Sequence, residues 1–127
     1  MKKEIFNIEF VLDKASKNSL WEYISTAVGL AEWFADSVVA DGKLFTFQWR
    51  NHANEAEVTG MVPYHYIRFH WLEDENQETF FEFRLHKIEL TGGIALEITD
   101  FAEENEMKSA IALWETQFRI LRRVLGL

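Results

Sequence analysis

Four histidines, twenty-one acidic side chains and no cysteine bound the chemistry open to this 127-residue sequence. Thiolate nucleophiles, disulfides and Cys-ligated zinc are excluded at once. Zinc held by imidazole needs ligands gathered close together, and two of the histidines have no such company: His52, in the Asn51–Asn54 turn, and His65, just after Pro63. His70 and His86 share the parity of Arg68, Glu82, Arg84 and Glu97. That parity puts them on a charged, solvated sheet face rather than in a catalytic site. Glu103 and Glu104 precede a helix, where the positive end of its dipole accounts for them. With no Ser-His-Asp order, phosphate loop or paired buried carboxylate, no catalytic residue, metal ligand or cofactor is assigned, and a non-catalytic role is favoured.

The distinctive chemistry is apolar. Aromatics make up 15% of the chain, with eleven Phe and five Trp. They concentrate in alternating strand patterns and in one long amphipathic segment, Asn105 to Leu127. There Met107, Ile111, Trp114, Phe118, Leu121 and Leu125 recur at steps of three and four, the spacing that stacks side chains on one helix face. Ala110, Gln117 and Val124 fall in the same arc, while Lys108, Glu115, Arg119, Arg122 and Arg123 lie opposite. A helix this long, roughly 30 Å at 1.5 Å per residue, needs a broad apolar partner such as a whole sheet. Gln117 is the exception in the arc. Either its amide touches solvent at the helix edge, as the usual exposure of Gln favours, or it faces a wet cavity.

The rest of the chain supplies the sheet. Phe6, Ile8, Phe10 and Leu12 alternate with Asn7, Glu9 and Val11 in a first strand. Ser16 can cap a helix whose buried face is Leu20, Trp21 and Ile24, and after an interruption at Gly29 a second short helix carries Leu30, Trp33 and Phe34. From Ser37 the period is two: Val38-Val39, a turn at Asp41-Gly42, then Phe45, Phe47 and Trp49. Further strands run from Glu55 to Val62, through Ile67, Phe69 and Trp71, through Phe81, Phe83 and Leu85, and through Ile94, Leu96 and Ile98. Beyond His86 the apolar parity shifts to Ile88 and Leu90, which predicts a bulge at His86-Lys87 with both residues still facing the helix. The expected fold is α+β, a curved antiparallel sheet of six to seven strands wrapped around a C-terminal helix, with two short helices after the first strand.

Composition narrows the partners. One domain spanning 1–127 suits the length, the 48% hydrophobic content and the absence of a linker-like run. The net charge of −8 repels nucleic-acid backbones and anionic membranes. No apolar run approaches the ~20 residues of a membrane span. Met1-Lys2-Lys3 opens like an export signal, but Glu4, Asn7 and Glu9 interrupt the segment that should be apolar, so a cytoplasmic protein is expected.

Several segments together resemble one family. Trp21-Glu22-Tyr23-Ile24-Ser25-Thr26 followed by Gly29-Leu30-Ala31-Glu32-Trp33-Phe34 is similar to a signature of the START-like superfamily, also called helix-grip, in particular of its heat-shock-protein-ninety ATPase activators. The resemblance continues through Phe45-Thr46-Phe47-Gln48-Trp49, Phe69-His70-Trp71, Gly93-Ile94-Ala95-Leu96-Glu97-Ile98, and Trp114 with Leu121. It implies a cavity for a small hydrophobic ligand between sheet and closing helix. By position, the lining would come from Trp33, Phe45, Phe47, Trp49, Phe69, Trp71, Phe81, Phe83, Trp114, Gln117, Phe118 and Leu121. The same aromatics could equally fill a solid core. The family also includes protein-binding co-chaperones and polyketide cyclase-like enzymes, so a protein partner and an acid/base enzyme stand as alternatives. The oligomeric state is left open.

Overall fold

The computed structural model describes residues 2–127, Met1 lying outside the described residues. Its strands are β1 (Lys3–Leu12), β2 (Ser37–Asp41), β3 (Leu44–Trp49), β4 (His52–Val62), β5 (Tyr66–Trp71), β6 (Phe81–Lys87) and β7 (Ile94–Glu103). All pair antiparallel in one curved sheet of order β1-β7-β6-β5-β4-β3-β2. Helices α1 (Lys17–Ser25) and α2 (Ala27–Leu30) follow β1, and a 3-10 turn at Glu104–Glu106 leads into α3 (Met107–Val124). This is the expected α+β helix-grip arrangement, with seven strands.

The periodicities explain which face each strand buries. Phe81, Phe83 and Leu85 along β6 and Leu96 and Ile98 along β7 are buried, and the rings of Phe81 and Phe83 meet Trp114 of α3. The helix meets them with Trp114, Phe118 and Leu121, all buried. At the sheet edge Phe10 stacks on Phe118, with ring centroids 4.0 Å apart. The α1 N-terminus is capped as expected, Ser19 N–H donating to Ser16 Oγ at 3.1 Å.

Five expectations are corrected. The break between the short helices falls at Thr26, whose side chain caps α2 through Gly29 N–H, while Gly29 sits inside α2. Glycine is required there by contact rather than by conformation, since a Cβ would lie 2.0 Å from the Glu22 carbonyl oxygen. Trp33 and Phe34 follow α2 in a turn rather than extending it. His52 begins β4 and stacks on Trp49, 5.0 Å between centroids, instead of lying in the hairpin turn.

The fourth correction concerns the parity shift. Pairing of β6 with β7 is regular through Lys87↔Ile94, with no bulge at His86-Lys87. The strand simply ends. Ile88 and Gly93 close a turn by Ile88 N–H to Gly93 O, 2.8 Å, with Gly92 at φ +74, and Leu90 is 99% exposed. Two apolar residues in a tight turn imitated a strand period. The sheet does contain an irregularity, but in β4, between Val58 and Gly60.

His70 also departs from expectation. It has outward parity, yet it is buried. Its Nδ1 lies 2.9 Å from the Thr79 carbonyl, which can only accept, so the proton sits on Nδ1. The segment carrying Thr79 is tied down by Asp74, which accepts from Thr79 Oγ1 at 2.6 Å and pairs with Lys3 on β1 at 3.0 Å. His86 keeps its expected place, half-exposed beside Glu97 at 2.7 Å.

Candidate functional site

A hollow opens between the β3–β4 hairpin, the end of β5 and the first half of α3. Three elements bound it. The β3–β4 hairpin contributes Trp49, Arg50, Asn51, His52 and Asn54; the end of β5 contributes Trp71 and Glu73; and α3 contributes Ala110, Leu113, Trp114 and Gln117. Phe34 and Asp36, in the turn after α2, and Asp100 on β7 complete the wall, with Glu106 at the rim. The volume is about 830 Å³, within the range of ligand sites. It is a cleft open to solvent rather than a closed chamber.

Of the twelve residues expected to line a cavity, four line this cleft: Trp49, Trp71, Trp114 and Gln117. The others lie elsewhere. Phe47, Phe69, Phe81 and Phe83 are fully buried and pack ring on ring, Phe69 stacking on Phe81 at 4.9 Å. Phe45 joins them and borders a smaller hollow of about 380 Å³ beside the β4 irregularity. Trp33 is buried with its indole N–H donating to Tyr23 O at 2.8 Å, a packing role. Phe118 is taken up by Phe10, and Leu121 is fully buried. The deep part of the grip is therefore occupied by side chains, and open space remains at its mouth.

The polar groups of the cleft are tightly organised. Phe34 O accepts from both Trp49 Nε1, 3.0 Å, and Gln117 Nε2, 3.1 Å. Gln117 is half-buried, touching solvent through the open cleft while its amide is anchored within the protein. It ties α3 to the turn after α2 while lining the cleft.

Asp100 is a candidate site residue that sequence reasoning missed. It continues the inward series Leu96, Ile98, Asp100, so its carboxylate points where an apolar side chain belongs. Trp114 Nε1–H donates to Oδ2 at 3.0 Å, and Phe101 N–H to Oδ1 at 2.7 Å. Burial pushes its pKa up to about 6, against the two hydrogen bonds and Lys3, which favour the ionised form. The available signal was that same parity, an acid on the apolar face of a strand.

No group of three or more His, Asp and Glu side chains among the described residues could hold a metal ion. Among the described residues no helix is long and apolar enough to cross a membrane.

A family model described as a START-like superfamily domain matches residues 1–127. A protein from Bacteroides fragilis, solved in solution by NMR, is 46% identical, covering 98% of this chain and 92% of its own, with a TM-score of 0.69. The Aha1 dimer from Colwellia psychrerythraea shares the fold at TM-score 0.81 and 18% identity, covering 96% of both chains. DynU16, from the dynemicin biosynthetic locus, matches at TM-score 0.77 and 17% identity, over 96% of this chain and 47% of that one. The last two likenesses are of fold. No curated protein matches the sequence.

Proposed function

The chain belongs to the START-like superfamily, and on that premise we propose that it acts as one cytoplasmic domain that binds and carries a small hydrophobic molecule at the mouth of the grip. The observation that carries this reading is the cleft of about 830 Å³ walled by Trp49, Trp71 and Trp114 and crossed by the Gln117 amide. Apolar walls with a few fixed polar groups are the usual make-up of a small-molecule site. The site is also preorganised: both anchors of Phe34 O hold their side chains in place before any ligand arrives.

A neutral aromatic probe tests it. Naphthylmethanol titrated into the protein should shift the indole N–H resonances of Trp49, Trp71 and Trp114, leave that of the buried Trp33 unmoved, and raise the melting temperature. Shifts confined to surface amides away from the cleft, with no thermal effect, would remove the reading.

Asp100 supports a second reading, an acid/base enzyme. A carboxyl with its pKa raised to about 6 in an aromatic cleft is poised to exchange a proton near neutral pH. A substrate turned over by the parent and not by Asp100→Asn would favour it over simple carriage.

A further inference from the structure

The chemistry of the cleft specifies more than apolarity. We propose that its ligand is a cationic amphiphile: an aromatic or apolar body carrying an ammonium group, seated on the indoles of Trp49, Trp71 and Trp114 with its charge toward Asp100 and the acidic rim. This rests on the carrier reading above and names the chemical class of its ligand.

Hydrogen-bonding capacity is the first support. Most N–H donors of the inner wall are committed within the protein, Trp49 Nε1 and Gln117 Nε2 to Phe34 O, Trp114 Nε1 to Asp100 Oδ2, and Asn54 Nδ2 to Glu73 Oε1 at 2.8 Å, which leaves Trp71 Nε1 and one N–H of each amide open. Acceptors are left in surplus. No hydrogen bond or ion pair within the described residues occupies the carboxylates of Asp36 and Glu106, both exposed at the rim. Asp100 receives one bond on each oxygen, and each carboxylate oxygen can take another. A ligand that complements such a wall brings donors.

Charge points the same way. Asp36, Glu73, Asp100 and Glu106 face one guanidinium, that of Arg50, on the exposed hairpin turn with Asn51 and His52. The whole chain adds a net charge of −8, which draws cations toward the surface and repels anions. The aromatic walls reinforce this preference. Trp49 and Trp71 lie 6.2 Å apart and tilted by 55°, and Trp71 is backed by Phe81 at 4.7 Å. Indole is the strongest of the side-chain π-systems for cations, and the attraction grows where water is partly excluded. An anionic lipid or fatty acid would instead meet four carboxylates, with the Arg50 guanidinium of the hairpin turn and a few neutral N–H groups to receive it.

Three probes with one aromatic body separate the possibilities: naphthylmethylamine, naphthylmethanol and naphthoate, titrated at low salt and followed by calorimetry and by the indole N–H resonances. The amine should bind about tenfold more tightly than the alcohol, and naphthoate more weakly than either. Asp100→Asn and, independently, Glu106→Gln at the exposed rim should each narrow the gap between amine and alcohol, and added salt should narrow it further. Glu106→Gln keeps the test decisive if the Asp100 variant folds poorly. Equal affinity for amine and alcohol, or tighter binding of naphthoate, would overturn the cationic class while leaving the apolar cleft standing. Failure of all three probes to reach the cleft would take both down together.

Discussion

Burial of the Asp100 carboxyl couples the fold to pH in a direction opposite to that of most paired carboxylates. In the unfolded chain the group ionises near 3.8, whereas in the fold it holds its proton to about 6. Between those values the folded state binds a proton that the unfolded state has shed. The stabilisation is therefore fully present below about pH 4 and is lost as pH rises through 6, an effect of about 3 kcal/mol. Asp100→Asn, which cannot ionise, should gain stability relative to the parent as pH is raised from 4 to 7. Urea unfolding at several pH values reads this directly; a difference between the two proteins that stays constant with pH would contradict it. Trp114 is the residue's main side-chain partner, so Trp114→Phe, which keeps the ring but drops the N–H donor, should push the Asp100 pKa higher still. A carboxyl carbon resonance followed by NMR titration checks the sign. Trp114→Ala removes more: stacking on Phe34 at 5.6 Å and edge contact with Phe83 at 5.8 Å go with the hydrogen bond. Its expected cost is about 3 kcal/mol, the lower end for a core aromatic because one side of the indole already borders the cleft. Residue roles were the least legible part of the sequence. Apolar periodicity found Trp114, but Asp100 hid because a strand pattern is read from its apolar members, and a polar residue at the end of a series passes for the start of a loop. His70 misled for the converse reason: parity assigns a face but not what covers it, and here the segment bearing Thr79 brings its carbonyl onto the imidazole.

At the scale of elements, the sheet and α3 were readable because their periods are long and unbroken, and short connections were not. Leu90 and Gly29 test two of the corrections. Leu90 is 99% exposed in the turn after β6, so Leu90→Lys should change stability by no more than about 0.5 kcal/mol. A loss of several kcal/mol, as expected for a side chain facing α3, would restore the bulge at His86-Lys87. Gly29→Ala should be far more damaging than its small size suggests. The added methyl would sit 2.0 Å from the Glu22 carbonyl oxygen, backbone that cannot rotate away, so α1 and α2 would have to separate. A variant that loses most of the domain's stability, seen as a collapsed urea midpoint, is the expected result; a midpoint like that of the parent would mean that the two helices are not packed as described.

For the whole molecule, the same aromatic composition could have served a hollow grip or a solid one, and pattern alone gave no way to choose. Volume decides it. Eleven Phe and five Trp supply enough bulk that Phe47, Phe69, Phe81 and Phe83 close the deep interior, and the space that remains lies where the β3–β4 hairpin, the end of β5 and the first half of α3 diverge. On the proposed reading the ligand binds at the mouth of the grip rather than in its depth. Ala110 offers the most direct test, since it lines the cleft from α3 without belonging to the buried core. Ala110→Trp places an indole into the open space while leaving the packed rings beneath untouched. Its affinity for naphthylmethanol should fall at least about tenfold with the melting temperature within a few degrees of the parent. Unchanged affinity at unchanged stability would place the bound molecule somewhere other than this cleft and would contradict the account.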